Sequence, residues 1–262
     1  MKVIVPMAGQ SKRFFAANYN VPKPFILIGK SPMIHWVVKM FRPEDEFIFI
    51  CLKEHMENPY YREILETAAP KYRIIEIQAH SLGPVYSSLH ADTFMNRDEP
   101  AIITYCDFYQ HWNYQKFLMK VGSYDGGIAV FRGFQPASFG PTLYAYVMTN
   151  SKGEMIKLRE KQSFTENRHE EFASSGVYYF GSWDVFRSYG NEILNKHISV
   201  GGEYYVSLLY NLMVRDGLCV TTYEIDKFIC WGTPEDLEQF NFWLQFFKHD
   251  IQQFASNEME HD

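Results

Sequence analysis

Small residues and cations directly behind the first predicted strand, residues 2–5, are the first sign of chemistry in this 262-residue sequence. They are Ala8, Gly9, Ser11, Lys12 and Arg13. A turn after the first strand of an α/β sheet lies at the carboxyl edge, where ligands bind. Small residues let the backbone approach a ligand closely, and the fork of Arg13 can bind two phosphate oxygens. The turn favours a phosphate site, although an ordinary βα turn with surface cations has a similar composition.

A second cation follows in a stiff segment, Val21-Pro22-Lys23-Pro24. Proline on both sides fixes the backbone around Lys23. A lysine held in this way is a point charge that needs little further ordering, which suits an anion site. The structural alternative is a proline-bounded loop with a solvated lysine.

Strands and helices that could position these segments alternate along the first half of the chain. The patterns predict strands at 2–5, 46–52, 72–78 and 101–107, and helices at 32–41, 60–69 and 84–95. Strands separated by helical crossovers predict a parallel, right-handed, doubly wound sheet. In the second half, strands are predicted at 128–131, 143–148 and 176–180, and helices at 183–195, 203–215 and 234–248. We therefore expect one α/β domain with a mixed sheet.

The turn and the proline-bounded lysine together resemble the signature of the sugar-1-phosphate nucleotidylyltransferases. In that family a strand and a Gly-rich turn ending in Arg precede Pro-Lys-Pro; here the segments read AGQSKRF and PKP, with Ser11-Lys12 in place of Gly-Thr. Further segments match in order over most of the chain: QAHSLG at 78–83, CD at 106–107, EK at 160–161, SSGVY at 174–178 and WGTPEDL at 231–237. The resemblance implies a Rossmann-like mixed sheet of the nucleotide-diphospho-sugar transferase type.

The resemblance also implies roles on the nucleotide side of such a site. Arg13 and Lys23 would clamp the triphosphate, and Ala8, Gly9, Ser11 and Lys12 would surround it. Gln78 would hydrogen-bond the edge of the base, and Gly83 would let the base lie on the backbone. These residues fall in a nucleotide-binding half, about residues 1–125.

On the acceptor side, the resemblance implies that Lys161 holds the acceptor phosphate and Glu160 a sugar hydroxyl. Gly176 would border the acceptor, and Glu203 could accept from an acceptor hydroxyl or amine; an acid favoured at a helix N-terminus is the alternative for Glu203. This acceptor-binding half is expected at about 126–248, followed by a polar tail at 255–262.

Asp107 would hold Mg²⁺, the cofactor that the resemblance implies. The family commonly has a second metal ligand, an Asp two residues before the Gly of Gly-Thr-Pro. Cys230 occupies that position here, and the nearby Asp226 is the expected substitute. The Gly-Thr-Pro segment alone also reads as a well-capped helix start.

The implied reaction is attack by an acceptor phosphate on the α-phosphorus of a nucleoside triphosphate, with release of pyrophosphate. A pyrimidine nucleotide is favoured, and the product would supply cell-surface polysaccharide synthesis. One alternative is a glycosyltransferase of similar fold, although the sequence has Cys106-Asp107-Phe108 where an Asp-x-Asp pair is typical. The other is a non-catalytic sensor of nucleotides or sugar phosphates.

Composition excludes several other classes of protein. Lys plus Arg is 25 against 31 for Asp plus Glu, a net charge of -6, so nucleic acid is not expected as a partner. The four cysteines form no C-x-x-C pair, which argues against a disulfide framework or a structural zinc. No apolar run reaches the roughly 18 residues of a membrane span. We expect a cytoplasmic protein, and an aromatic cluster at 243–247 could pack on the core or on a second subunit.

Overall fold

A mixed β-sheet of nine strands forms the centre of the protein. The computed structural model describes the backbone of residues 1–258 and the side chains of residues 1–247, so the end of the predicted polar tail, 259–262, lies outside the described residues. The strands are β1 (Lys2–Pro6), β2 (Leu27–Ile28), β3 (Ser31–Pro32), β4 (Glu46–Leu52), β5 (Tyr72–Ile77), β6 (Ala101–Thr104), β7 (Phe108–His111), β8 (Gly126–Phe131), β9 (Ala145–Thr149), β10 (Met155–Glu160), β11 (Phe172–Phe180), β12 (Val220–Glu224) and β13 (Lys227–Cys230). The α-helices are α1 (Lys12–Ala16), α2 (Met33–Val38), α3 (Lys53–Met56), α4 (Pro59–Ala68), α5 (Pro84–Leu89), α6 (Tyr114–Val121), α7 (Trp183–Asn195), α8 (Ser207–Arg215) and α9 (Pro234–Glu258).

The first half of the chain forms the parallel part of this sheet. The strands lie in the order β5-β4-β1-β6, and each neighbouring pair is parallel. Val3, Ile4 and Val5 are fully buried, as expected for a strand that is covered on both faces. Because parallel strands share one carboxyl edge, the turn after β1 and the residues after β6 meet at that edge. The doubly wound α/β architecture predicted from the sequence is confirmed.

The second half adds antiparallel strands next to β6. Strand β11 pairs antiparallel with β6, β8 and β9, and β12 returns parallel to β8. The register between β11 and β8 shifts between Ser174 and Tyr178, around Gly176, which has a φ of 100°. A Cβ at Gly176 would lie 3.0 Å from the ring of Phe108. Glycine therefore lets β11 pass closely over the chain that follows β6.

Helices cover both faces of the sheet, and the alternation of β1 assigns its side chains to the two layers. Val3 and Val5 pack in the core layer that contains α2, α4 and α6. Ile4 packs in the opposite layer with α5, α7 and α8. The sheet is thus the middle layer of three.

Some elements differ from the sequence expectations. The patterns do not reveal α6, β10, β12 or β13; β10 is an edge strand with charged residues, and β13 has only four residues. The helix predicted at 203–215 begins at Ser207, and the helix predicted at 234–248 continues to Glu258. Within residues 1–258, no helix combines the length and the hydropathy that a bilayer crossing requires.

Replacement of Phe180 by alanine should destabilise the protein by about 3–5 kcal/mol. Its side chain is fully buried and stacks on Tyr210 at 5.0 Å, so truncation leaves a cavity between β11 and α8. Phe134→Ala is the matched control, because 80% of that side chain is exposed. Urea unfolding of both variants measures the difference, and equal free energies of unfolding would contradict this view of the core.

Candidate active site

A cavity of about 560 Å³ opens at the carboxyl edge of β1 and β6. Twelve of the fourteen residues selected from the sequence line it: Ala8, Gly9, Ser11, Lys12, Arg13, Lys23, Gly83, Asp107, Glu160, Lys161, Gly176 and Glu203. The two that do not are Gln78 and Asp226. The fold therefore brings most of the expected groups, from segments far apart in sequence, around one space.

The turn after β1 is tied to the proline-bounded lysine by Ser11. The Ser11 hydroxyl accepts a hydrogen bond of 2.9 Å from the backbone N–H of Lys23. Ser11 has a φ of 52°, in the left-handed region that a residue with a side chain rarely adopts. Such strained backbone is characteristic of functional sites. The Ser11 hydroxyl thus holds together the two segments that the sequence analysis selected as candidate anion sites.

Lys23 and Asp107 form an ion pair inside the cavity. Lys23 Nζ lies 2.7 Å from Asp107 Oδ2, and about a quarter of each side chain is exposed. Burial alone would lower the pKa of Lys23, but the Asp107 carboxylate outweighs burial and raises this pKa. The lysine is therefore a permanent cation next to the carboxylate expected to hold a metal ion.

His80 and Ser87, and not Gln78, border the cavity beyond β5. Strand β5 ends at Ile77, and Gln78 is exposed and does not line the cavity, so the sequence expectation for its side chain is corrected. His80 Nδ1 accepts from the Leu82 N–H at 3.1 Å, so Nε2 carries the proton and donates to Ser87 Oγ at 2.9 Å. Burial, with a smaller effect of His90, lowers the pKa of His80, which keeps the ring neutral.

Gly83 lies against the backbone of Tyr204, which precedes α8. A Cβ on Gly83 would be only 2.9 Å from the Tyr204 nitrogen, and its φ is 84°. Tyr204 also donates its N–H to Leu82 and accepts from the Val85 N–H. Glycine is required here so that the loop and the segment before α8 can approach each other.

Glu160 and Lys161 lie across the cavity, at the end of β10. Lys161 has a left-handed backbone with a φ of 56°, and its N–H donates to the Tyr144 carbonyl at 3.0 Å. Glu160 Oε2 accepts from the Ser207 hydroxyl at 2.5 Å. Burial raises the pKa of Glu160, although Ser207 and Lys161 favour its charged form. A cation and a half-buried carboxylate therefore point to the same end of the cavity.

The carboxylate of Glu203 accepts a hydrogen bond from the hydroxyl of Tyr205, and both residues line the cavity. Glu203 precedes α8 by several residues and pairs with Val200 in an isolated bridge, so it is not an acid of a helix N-terminus. From the sequence, Tyr204, Tyr205 and Tyr210 could line the acceptor pocket, although core packing is the favoured expectation for all three. Tyr204 and Tyr210 are indeed buried, whereas Tyr205 lines the cavity.

Asp226 lies outside the cavity, so the expectation that it is the second metal ligand is wrong. It is exposed in the turn before β13, and its N–H donates to the His111 carbonyl at 2.9 Å. Cys230 is the last residue of β13, four residues after Asp226. At the rise of an extended chain the two residues are about 13 Å apart. Cys230 does line the cavity. Burial, together with Asp236 and Asp107, raises the pKa of its thiol, and a neutral thiol is a poor ligand for Mg²⁺.

Asp236, which the sequence analysis did not select, lies behind Cys230 and is 5% exposed. Its carboxylate accepts from the Thr233 N–H at 3.0 Å, in a reciprocal cap at the start of α9. It also accepts from the Thr142 hydroxyl at 3.0 Å and from the Cys230 thiol at 3.6 Å. Asp236 thereby joins α9 to the rim at 142–144, whose residues line the cavity.

Asp236→Asn should loosen this rim and destabilise the protein by about 1–2 kcal/mol, because an amide NH₂ cannot accept from Thr233 or Cys230. Amide hydrogen exchange at residues 142–144 should become faster. Glu235→Gln, in the same helical turn but exposed, is the control and should leave the exchange unchanged. Unaltered exchange in Asp236→Asn would show that the rim is held by other contacts.

Known proteins of similar fold share this arrangement of elements. A nucleoside-diphosphate-sugar pyrophosphorylase from Vibrio cholerae is 20% identical, with a TM-score of 0.73, over 91% of this chain and 98% of that one. An inositol-1-phosphate CTP transferase from T. maritima is 15% identical, with a TM-score of 0.66, over 91% and 94%. A UDP-glucose pyrophosphorylase complexed with UDP-glucose is 16% identical, with a TM-score of 0.67, over 93% and 98%. At these identities the likeness shows a shared fold.

The sequence itself matches a protein-family model. The model is described as nucleotidyl transferase, and the match covers residues 2–209, from β1 into α8. No curated protein sequence matched the chain significantly. Because the family match spans most of the 262 residues, the chain belongs to the nucleotidyl transferase family, as its resemblance to the sugar-1-phosphate nucleotidylyltransferases predicted.

Proposed function

We propose that the protein joins the nucleotidyl group of a pyrimidine nucleoside triphosphate to a sugar phosphate or related phosphomonoester, with Mg²⁺ as cofactor. The carrying observation is the Lys23–Asp107 pair beside the turn after β1, with Lys161 across the same cavity. This places cations at two ends of one space, as a reaction between two phosphate anions requires.

The chemistry needs no general base. The second pKa of a phosphomonoester is about 6, so the acceptor oxygen is largely ionised at neutral pH. This oxygen attacks the α-phosphorus, the bond to the bridging oxygen of the β-phosphate breaks, and pyrophosphate leaves with the electron pair. Lys12, Arg13 and Lys23 would bind the triphosphate, and Lys161 would hold the acceptor in line.

Asp107 suits Mg²⁺, because this ion typically takes one or two carboxylates together with substrate phosphates. Among the side chains described, those of residues 1–247, no cluster of three or more His, Cys, Asp or Glu could hold a metal ion by itself, so Asp107 would bind the ion together with the substrate. A metal ion held there would supply positive charge that stabilises the charge developing on the reacting phosphates. Asp107 is the residue proposed to hold it, without Asp226.

The pyrimidine preference is supported by two of the similar structures, which carry a pyrimidine nucleotide in their names, CTP and UDP-glucose. The product would then be a nucleotide-linked sugar or similar group, and we assign it to the supply of precursors for a cell-surface polysaccharide.

A pyrophosphate-release assay with Mg²⁺ tests the proposal. CTP, UTP, dTTP, GTP and ATP are each combined with a panel of sugar phosphates, polyol phosphates and other phosphomonoesters. We expect release that depends on one pyrimidine triphosphate and one acceptor. Triphosphate binding without release from any pair would favour the sensor, and transfer from a finished nucleotide sugar would favour the glycosyltransferase.

Lys23→Met and Asp107→Asn should each lower turnover on the order of 10²-fold, because each removes one charge-stabilising group from the reacting phosphates. Lys30→Met and Asp98→Asn are matched controls on exposed residues outside the cavity. Circular dichroism checks that all four variants are folded. Wild-type turnover in either active-site variant would remove that residue from the mechanism.

A further inference from the structure

The head of the Lys161 side chain is held by the segment that precedes α8. Its Nζ donates to the hydroxyl of Tyr205 and lies 4.4 Å from the centre of the tyrosine ring. The same hydroxyl donates to Oε2 of Glu203. Lys161, Tyr205 and Glu203 therefore form a continuous chain, called here the Lys161 chain.

Both ends of the Lys161 side chain are thus fixed before any ligand arrives. The backbone end is set by the left-handed conformation and by the bond to the Tyr144 carbonyl. A free lysine side chain loses much rotamer freedom when a ligand orders it. Holding the head in place removes part of this loss from the binding step, and so favours affinity through preorganisation.

The chain leaves the ammonium able to bind an anion. A lysine ammonium has three donors, and Tyr205 accepts only one of them. All three residues of the Lys161 chain line the cavity that contains Lys23 and Asp107. The remaining donors can therefore bind phosphate oxygens without breaking the contact with Tyr205.

The tyrosine is suited to hold two charged partners at once. Burial raises the pKa of Tyr205, and the neighbouring Glu203 carboxylate raises it further, whereas Arg13 opposes these effects. The phenol consequently keeps its proton at neutral pH and continues to donate to Glu203. Its oxygen remains free to accept from Lys161.

We propose that Tyr205 is a positioning residue for the acceptor phosphate, holding the ammonium of Lys161 while Glu203 holds Tyr205. The inference rests on the proposed function, in which Lys161 binds the acceptor. It also changes the role expected for Glu203, which acts through Tyr205 and does not bind an acceptor hydroxyl directly.

The first test is Tyr205→Phe, which keeps the ring under the ammonium and removes only the hydroxyl. With the acceptor identified by pyrophosphate release, KM for that acceptor should rise about tenfold, as expected for loss of a hydrogen bond to a charged group, with KM for the triphosphate unchanged. Tyr204→Phe is the matched control, since it removes the hydroxyl of the adjacent, buried tyrosine. An unchanged acceptor KM in a folded Tyr205→Phe protein would overturn the proposal.

A double-mutant cycle separates the role of Glu203 from direct binding. Glu203→Gln should raise the acceptor KM less than Tyr205→Phe does, and the double variant should be no worse than Tyr205→Phe alone. In a Lys161→Met background, Tyr205→Phe should have no further effect. Additive losses from Glu203→Gln and Tyr205→Phe would show that Glu203 contacts the acceptor itself, and would overturn its assignment to the chain.

Direct binding distinguishes failure of this inference from failure of the proposed function. Inorganic phosphate, titrated calorimetrically into the wild type and into Tyr205→Phe in the absence of triphosphate, should bind the variant about tenfold more weakly. If the wild type releases no pyrophosphate with any acceptor yet shows this difference, the reaction is wrong and the Lys161 chain stands. If the wild type is active and both proteins bind phosphate equally, the chain has no role in positioning.

Discussion

The ion pair between Lys23 and Asp107 joins the segments on which the cavity depends. Lys23 lies in the segment between α1 and β2, and its N–H donates to the hydroxyl of Ser11 in the turn after β1. Asp107 follows β6, and its backbone carbonyl accepts a hydrogen bond from the N–H of Trp231, in the segment that precedes α9. Three loops thus converge on one pair of opposite charges. Neutralising either partner would leave the other as a half-buried charge without compensation, which is costly in free energy.

Left-handed backbone recurs at both ends of the cavity. Ser11 and Lys161 each have a φ above 50°, and both line the cavity. A residue other than glycine adopts this conformation only when its surroundings impose it. The bonds from Lys23 to Ser11 and from Lys161 to Tyr144 supply such surroundings. The hydrogen bonds that fix these two lining residues therefore also maintain their strained backbone.

The sequence predicts well what depends on local pattern. The buried run of β4 predicts its bounds correctly. The turn after β1 and Asp107 lie at the cavity because both lie at the ends of predicted strands, whereas the family resemblance is what indicated Lys23 and Lys161. The expectation for Gln78 is wrong because side chains alternate in direction along a strand, so a shift of one residue at the strand end changes which side chain faces the cavity. The expectation that Asp226 binds the metal is wrong because the position of Asp226 depends on the pairing of β13 with β7. That pairing joins residues far apart in sequence, so the local pattern does not reveal it. For Tyr205 the sequence favours the core over the acceptor pocket, because an aromatic residue near a predicted helix is typical of a core.

The order of strands in the sheet has a consequence for how the chain folds. Lys2 of β1 pairs with Ala101 of β6, and Val220 of β12 pairs with Gly126 of β8, so the central pairings close long stretches of chain. Sheets of this kind have high contact order and fold slowly. Arg13, Asp107 and Lys161 come from three such distant stretches. The cavity therefore needs strands from both halves of the chain, and it is complete only when the antiparallel strands have joined the parallel ones.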